Sequence, residues 1–271
     1  MKKTVFTWVA FCLLLVSCTK DEYEIENINN KIFVLGHGGM GVGKAQYPFD
    51  TYEGIQKAIS LGADGAEIDI QITKDSVLVC YHDHYLEEST DGEGEIYAKN
   101  WAEIKNSVYK GDPFTSYKIF DLDWMFAVTN NTIHKFTFDI KFTNPDQSEA
   151  NRDIFQRALI RLIEKYHLAR NVTIESPSED FLRAFKQKRS NYNLFYYTDF
   201  ETALSTAKEL GLKGITVKAD EVSAEQVAEA HKSGIMVAVF STTHRNHDEV
   251  IKKNVDIIQT DDLEDLLLRL K

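Results

Sequence analysis

Apolar runs of strand length recur along the chain at 32–36, 66–72, 136–142, 171–175, 193–197, 214–217, 235–240 and 255–259. Helical signals fill most of the intervals. The stretch 152–167 places Ile154, Phe155, Ala158, Leu159, Leu162, Ile163 and Tyr166 on one face of a helix. Asp50 with Glu53, Ser176 with Glu179, Ser223 with Gln226, and Asp261 with Glu264 have the spacing of a capping box or its Asp variant. Pro177 suits a first helical position, where its missing N–H is harmless. Strands alternating with helices in this way predict an α/β fold, a (β/α)8 TIM-type barrel. A doubly wound open sheet is the alternative.

Two segments interrupt the alternation. The run Val77 to Tyr81 follows the second strand too closely for a crossover helix, so it predicts a hairpin return. With Lys74-Asp75 at the turn, paired numbers sum to 149 and His82 falls opposite Glu67. Residues 85–131 then form a long irregular excursion, with one short helix expected near 100–106, of the kind that builds a lid or a substrate wall.

The N-terminus reads differently. Lys2 and Lys3 precede an apolar stretch from Val5 to Val16, and Leu15-Val16-Ser17-Cys18 is similar to a bacterial lipobox. The expected organisation is a lipoprotein signal peptide over 1–17, a lipidated Cys18 heading a flexible tether over 18–30, and a single barrel domain over 31–271. Lys20-Asp21-Glu22 resembles an export signal that sends lipoproteins to the outer face. The expected location is therefore the outer membrane, on its periplasmic or cell-surface face, held through the lipid alone. Loss of Cys12 with the signal and use of Cys18 for the lipid leave Cys80 unpaired, and its apolar surroundings mark it as a core residue.

The composition, 43% hydrophobic and 27% charged, is that of an ordinary globular protein. A net charge of -11 argues against nucleic acid as a partner bound through a general basic field. Nothing in the pattern calls for an obligate protein partner. Two phosphate-loop patterns fail on context. Gly36 to Gly41 satisfies G-x-G-x-x-G, but the next helix opens only near Asp50. Gly38 to Lys44 has Ala45 where a P-loop needs Ser or Thr.

Charged residues inside strands carry the chemistry. In Ala66-Glu67-Ile68-Asp69-Ile70 the two acids share one face. In the third barrel strand Thr137, Asp139 and Lys141 share the face opposite Phe136, Phe138, Ile140 and Phe142. A barrel packs its apolar strand face on the helices, so Glu67, Asp69 and Asp139 point inward. Unpaired, they would cost several kcal/mol each, and a hard divalent cation, Ca²⁺ or Mg²⁺, removes that cost. His37 follows the first strand at its C-terminal end, where barrel active sites lie, and the hairpin delivers His82 beside the acids. A cation with two imidazoles fits phosphodiester hydrolysis, with His37 and His82 as general acid and base and Lys141 facing the charge of the transition state.

At these residues the chain resembles the glycerophosphodiester phosphodiesterase family. Gly62 to Asp69, then Thr73-Lys74-Asp75, His82 to Leu86 and Ser89-Thr90, look like its central signature. Residues 99–105 and 119–124, and Val255 to Asp261, resemble its lid-side segments and closing strand. The resemblance implies a (β/α)8 barrel with a divalent cation that cleaves glycerophosphodiesters to glycerol 3-phosphate and an alcohol. It places the two histidines on His37 and His82, and the first two metal ligands on Glu67 and Asp69. Four positions depart from the family. Its Arg after the first histidine is Gly38, its Pro-Glu-Asn-Thr is Pro48-Phe49-Asp50-Thr51, its third metal Glu is Asp139, and its Trp-Thr is Phe240-Ser241. The shorter Asp139 is similar to spider-venom-type sphingomyelinase D. Lys44, His244 or Arg245 are candidates for the missing phosphate charge. The expected substrate is a small-molecule phosphodiester. The alternatives are headgroup cleavage to a cyclic phosphate, or a phosphodiester-binding relative without catalysis. A glycosidase fits less well, because Glu67 and Asp69 sit on one strand rather than flanking a sugar bond.

Overall fold

The computed structural model describes residues 23–42, 47–111, 113–114, 116–129, 134–142 and 148–271. The expected signal segment, Cys18 and Lys44 lie outside these residues. Ten strands follow in chain order: β1 (Phe33–His37), β2 (Gly65–Ile72), β3 (Leu78–Cys80), β4 (Phe120–Asp121), β5 (Lys135–Ile140), β6 (Val172–Ser176), β7 (Asn193–Tyr197), β8 (Gly214–Lys218), β9 (Met236–Thr242) and β10 (Ile257–Thr260). The helices are α1 (Tyr52–Leu61), α2 (Leu86–Ser89), α3 (Trp101–Ile104), α4 (Leu122–Thr129), α5 (Glu149–Lys165), α6 (Glu179–Lys188), α7 (Phe200–Leu210), α8 (Ala224–Lys232), α9 (His247–Lys252) and α10 (Leu263–Arg269).

Eight of the strands pair in parallel in the order β1-β2-β5-β6-β7-β8-β9-β10, and β1 also pairs with β10. That last pairing closes the wall. A doubly wound sheet would leave two open edges, so the barrel expectation holds and the alternative fails.

Strand alternation sorts the side chains. Ala66, Ile68, Ile70, Phe136 and Phe138 face outward and join the helices in the main hydrophobic cluster. The inward face is layered. Leu35, Phe195, Ala238 and Ile257 form an apolar plug low in the barrel. A Cβ at Gly214 would lie 2.4 Å from the Phe195 ring, so the glycine makes room for the largest member of the plug. The layers above, toward the C-terminal strand ends, carry the acids. Burying Leu35, Phe195 and Ile257 stabilises the fold by about 1.5–3 kcal/mol each, and the plug gives the polar layers a dry floor.

The hairpin forms, with a different register from the expected one. Ile70 pairs with Cys80 and Ile72 with Leu78, so the numbers sum to 150 rather than 149. The turn holds three residues, Lys74, Asp75 and Ser76, instead of two, and Ser76 takes a left-handed φ of 65°. The Thr73 hydroxyl accepts from Val77 N at 2.9 Å and fixes the longer turn. The ladder ends at Cys80, which is free and buried as expected. His82 is therefore not delivered by cross-strand pairing. It lies beyond the ladder, where the chain turns toward the barrel mouth.

β4 pairs with β3, so the excursion leaves and returns at one ribbon. It holds α2, α3 and a small core of Val79, Tyr81, Leu86, Ile96, Ile104, Tyr109 and Ile119. It is more ordered than the one short helix expected, and α4 occupies its end.

Two other expectations need correction. Of the four capping boxes, the one at Ser223 and Gln226 is present. α1 is capped by Thr51, whose hydroxyl accepts from Gly54 N, and α6 by Ser178. α10 begins after Asp262 with no side-chain cap bond. Pro177 precedes the first helical position of α6, Glu179, because Ser176 still belongs to β6. The second concerns the tether. Residues 23–30 lie against the barrel: the Tyr23 hydroxyl bonds Asp248, Glu26 N donates to Asn254 Oδ1 at 2.9 Å, and buried Asn27 donates to Val255 O at 2.8 Å.

Candidate active site

Parallel pairing of β2 and β5 sets Asp69 beside Asp139, and two-residue alternation sets Glu67 on the same inward face. Glu67, Asp69 and Asp139 are buried and offer oxygens that all lie within 4.8 Å of one another. Asp69 Oδ2 and Asp139 Oδ1 have no hydrogen-bond partner. Orphaned carboxylate oxygens in an interior are costly, and hard oxygens at this spacing suit a divalent cation. The donor set therefore fits the cation expected from the sequence.

The electrostatics agree. Burial, and then the charges of Asp69, Asp50, Glu175 and Asp139, push the Glu67 carboxyl well above the usual range. Burial also raises Asp139, although Lys141 opposes it. Lys141 lies just past β5 and reaches Asp69 Oδ1 at 2.9 Å and Asp139 Oδ2 at 2.5 Å. Burial works against its charge, but the two carboxylates hold the ammonium on. One cation among crowded acids leaves negative charge uncompensated.

Two acids in this layer were missed from the sequence. Asp50 was absorbed as a helix cap. Instead it turns inward at a φ of 58°, fully buried, and its Oδ1 accepts from Asp69 N at 3.1 Å. Its other oxygen has no partner. Burial, and then the Asp69 charge, raise it well above the usual carboxylate range. Glu175 on β6 is buried beside Asp139 and accepts from Thr216 Oγ1 at 2.7 Å and Gln259 Nε2 at 2.9 Å. Burial and the Asp139 charge push it up to about 7 against those two donors. The alternation that exposed Glu67 and Asp69 would have found Glu175, since Thr173 and Glu175 share one face of β6.

Both histidines line one pocket at the barrel mouth, and His37 also approaches the acidic triad. His37 ends β1, its Nδ1 2.8 Å from Asp261 Oδ1 and its Nε2 3.7 Å from Glu67 Oε2. His82 has Nδ1 2.8 Å from Asp83 Oδ1, and the other Asp83 oxygen accepts from the Ser89 hydroxyl. Each imidazole is thus held by its own carboxylate, which fixes the ring; for His37 this leaves Nε2 facing Glu67. Asp261, like Asp50, had been assigned to a cap. Phe49 stands between the imidazoles, edge-on, with its ring centroid 4.9 Å from His37 and 5.6 Å from His82. Arg245 is exposed on the β9–α9 loop, and His244 is paired with Asp262 at 3.0 Å. Neither lines the pocket of about 530 Å³ that opens beside the histidines.

The profile of the glycerophosphoryl diester phosphodiesterase family matches residues 42–265. The chain belongs to that family. It is a family of phosphoric diester hydrolases that generally depend on divalent metal. Among curated relatives, a glycerophosphodiester phosphodiesterase of Caldanaerobacter subterraneus is 26% identical over 243 residues, 88% of this chain and 97% of that one. Among solved structures, a glycerophosphodiester phosphodiesterase from Parabacteroides distasonis superposes with a TM-score of 0.72 at 22% identity, covering 88% of this chain and 98% of that one. A phosphodiesterase from Oleispira antarctica, solved with the product sn-glycerol-3-phosphate, has a TM-score of 0.75 at 20% identity, covering 87% and 95%. These two likenesses establish the barrel. In this chain Gly38 and Phe49 meet at the mouth, where a Cβ on Gly38 would lie 2.4 Å from the Phe49 ring.

Proposed function

We propose that the protein hydrolyses glycerophosphodiesters to glycerol 3-phosphate and an alcohol, with a divalent cation, Ca²⁺ or Mg²⁺, held by Glu67, Asp69 and Asp139. The observation that carries this reading is the approach of His37 Nε2 to 3.7 Å from Glu67 Oε2, which puts a proton-transfer group at the edge of the acidic triad. The cation, when bound, would neutralise the non-bridging phosphate oxygens. Lys141 adds a fixed positive charge on the same side. His37 and His82 divide the proton work: one takes a proton from the attacking water and the other gives one to the departing alkoxide. Asp261 and Asp83 hold the two rings for that exchange. The apolar plug closes the floor of the site.

The absence of an arginine at Gly38 favours a second reading, a phosphodiester-binding relative that does not turn over. One assay separates the two. The chain from residue 19 onward is given a panel of glycerophosphodiesters with Mg²⁺, Ca²⁺ or chelator, beside a His37→Ala control. Metal-dependent release of glycerol 3-phosphate, lost in the control, supports hydrolysis. A cyclic phosphate seen by phosphorus NMR would instead indicate attack by a substrate hydroxyl. Metal binding without turnover leaves the binding role.

For location we propose a lipid anchor at Cys18 in the outer membrane, on the strength of the Leu15 to Cys18 motif. The intact mass of the mature protein tests it: a diacylglyceryl adduct on a chain beginning at Cys18 is expected, and an unmodified chain retaining residues 1–17 would rule it out.

A further inference from the structure

The pocket beside the histidines is not used by the reaction as described above. It is lined by both imidazoles but by none of Glu67, Asp69, Asp139 or Lys141. It therefore opens off the histidine side of the site and receives what hangs from the phosphate there. Its apolar walls are Val42, Pro48, Phe49, Tyr81, Tyr109 and Phe114.

Most polar groups of the described lining make bonds within the protein; the buried Tyr109 hydroxyl does not. Asp83 holds His82 and Ser89, and Asp261 holds His37. Glu88 accepts from Tyr85 N at 2.8 Å, and Lys110 donates to Glu87 O at 2.6 Å. Six of the described lining side chains are aliphatic or aromatic, so a ligand's hydroxyl or charge that meets them unpaired costs affinity. Apolar surface meets no such cost.

Phe49 is central to this pocket. A Cβ placed on Gly38 would lie 2.4 Å from the Phe49 ring, so the ring fills the space into which a side chain at 38 would project. The mouth is therefore walled at this point by an apolar ring set against both imidazoles.

We propose that Phe49 is a specificity-determining residue, and that the pocket selects diesters whose alcohol arm is uncharged and apolar, an alkyl or aryl group. This rests on the hydrolytic reading above. Alkyl leaving groups of similar acidity separate binding from intrinsic reactivity, so the test uses the ethyl, butyl and hexyl esters of glycerol 3-phosphate. In addition, glycerophosphocholine is compared with its neutral isostere, the 3,3-dimethylbutyl ester.

For the wild type, kcat/KM is expected to rise about two- to four-fold per added methylene, and the neutral isostere to exceed the choline ester. In Phe49→Gln the rise with chain length should flatten. Calorimetry of the same esters with chelator present reads the pocket without turnover, and affinity there should follow chain length too. A flat series in both measurements, or preference for choline over its isostere, overturns the proposal while leaving hydrolysis intact. Affinities that rise with chain length, with no ester turned over under any metal, overturn the hydrolytic reading and leave the pocket assignment standing. Should Phe49→Gln fail to fold, the wild-type series alone decides.

Discussion

The two sides of the site are built by different means. Glu67, Asp69 and Asp139 lie on β2 and β5, locked by the parallel ladder and buried, so their positions follow from strand register. His37 and His82 lie at a strand end and beyond a hairpin ladder, with side chains 25% and 54% exposed, and each is placed by a carboxylate on a loop. The acidic side resembles a core with the wrong polarity. The histidine side resembles a surface held in place by hydrogen bonds. The first should respond to mutation through charge balance and metal, the second through proton transfer and alignment.

The strongest test of that contrast is Glu67→Gln. It is expected to remove metal-dependent turnover by about 10³-fold or more, the scale of several kcal/mol of lost charge stabilisation. At pH 8 it should also raise the melting temperature of the metal-free protein, because it removes one of the crowded buried charges. A drop in melting temperature together with retained turnover would break the contrast. On the other side, His37→Ala should lower kcat by about 10²–10⁴-fold with metal affinity largely kept. Asp261→Asn should cost about 10–100-fold through misplacement of the His37 ring. Its effect should appear in kcat and in the pH profile rather than in metal affinity measured by calorimetry.

A smaller effect concerns pH. Burial raises Glu67, Asp50 and Glu175, the last to about 7. Between the unfolded value near 4.5 and the folded value, the native state therefore holds more protons than the unfolded chain. Stability then falls as pH rises through that window. The metal-free protein should melt several degrees lower at pH 8 than at pH 5.5. Saturating cation, which favours the ionised acids, should reduce or reverse the difference in a thermal-shift series. The smallest effect expected is in the hairpin. Ser76→Gly relieves a left-handed backbone and should change stability by about 0.5–1 kcal/mol in the favourable direction, readable as a small rise in denaturation midpoint, without moving kcat. A fall in kcat would mean that the turn helps to place His82.

The eight barrel strands, the inward acids and the hairpin were legible because each is written in local periodicity. Alternation is a property of consecutive residues, and a barrel turns it directly into inside and outside. The turn length was not legible. Lys74-Asp75 suggested two residues, whereas the Thr73 hydroxyl and the left-handed Ser76 select three, a choice made by side-chain hydrogen bonding. The two misassigned caps have a common cause. Asp50 and Asp261 sit three residues before Glu53 and Glu264, a spacing that reads as a cap whenever the tertiary partner is unknown. Asp69 N and His37 compete for those carboxylates across 19 and 224 residues of chain and win.

The barrel, the acidic inner layer and the family are written in the order of residues, since they rest on periodicity and on a contiguous signature. Which carboxylate holds which imidazole, the place of Glu175 and Asp50 in the acidic layer, and the position of Phe49 where a side chain at 38 would go emerge when the chain folds. The physical reason is range. Period and capping preference act within a few residues, whereas the hydrogen bonds and close packing that orient the site join segments brought together only when β1 meets β2 and β10 and the wall closes.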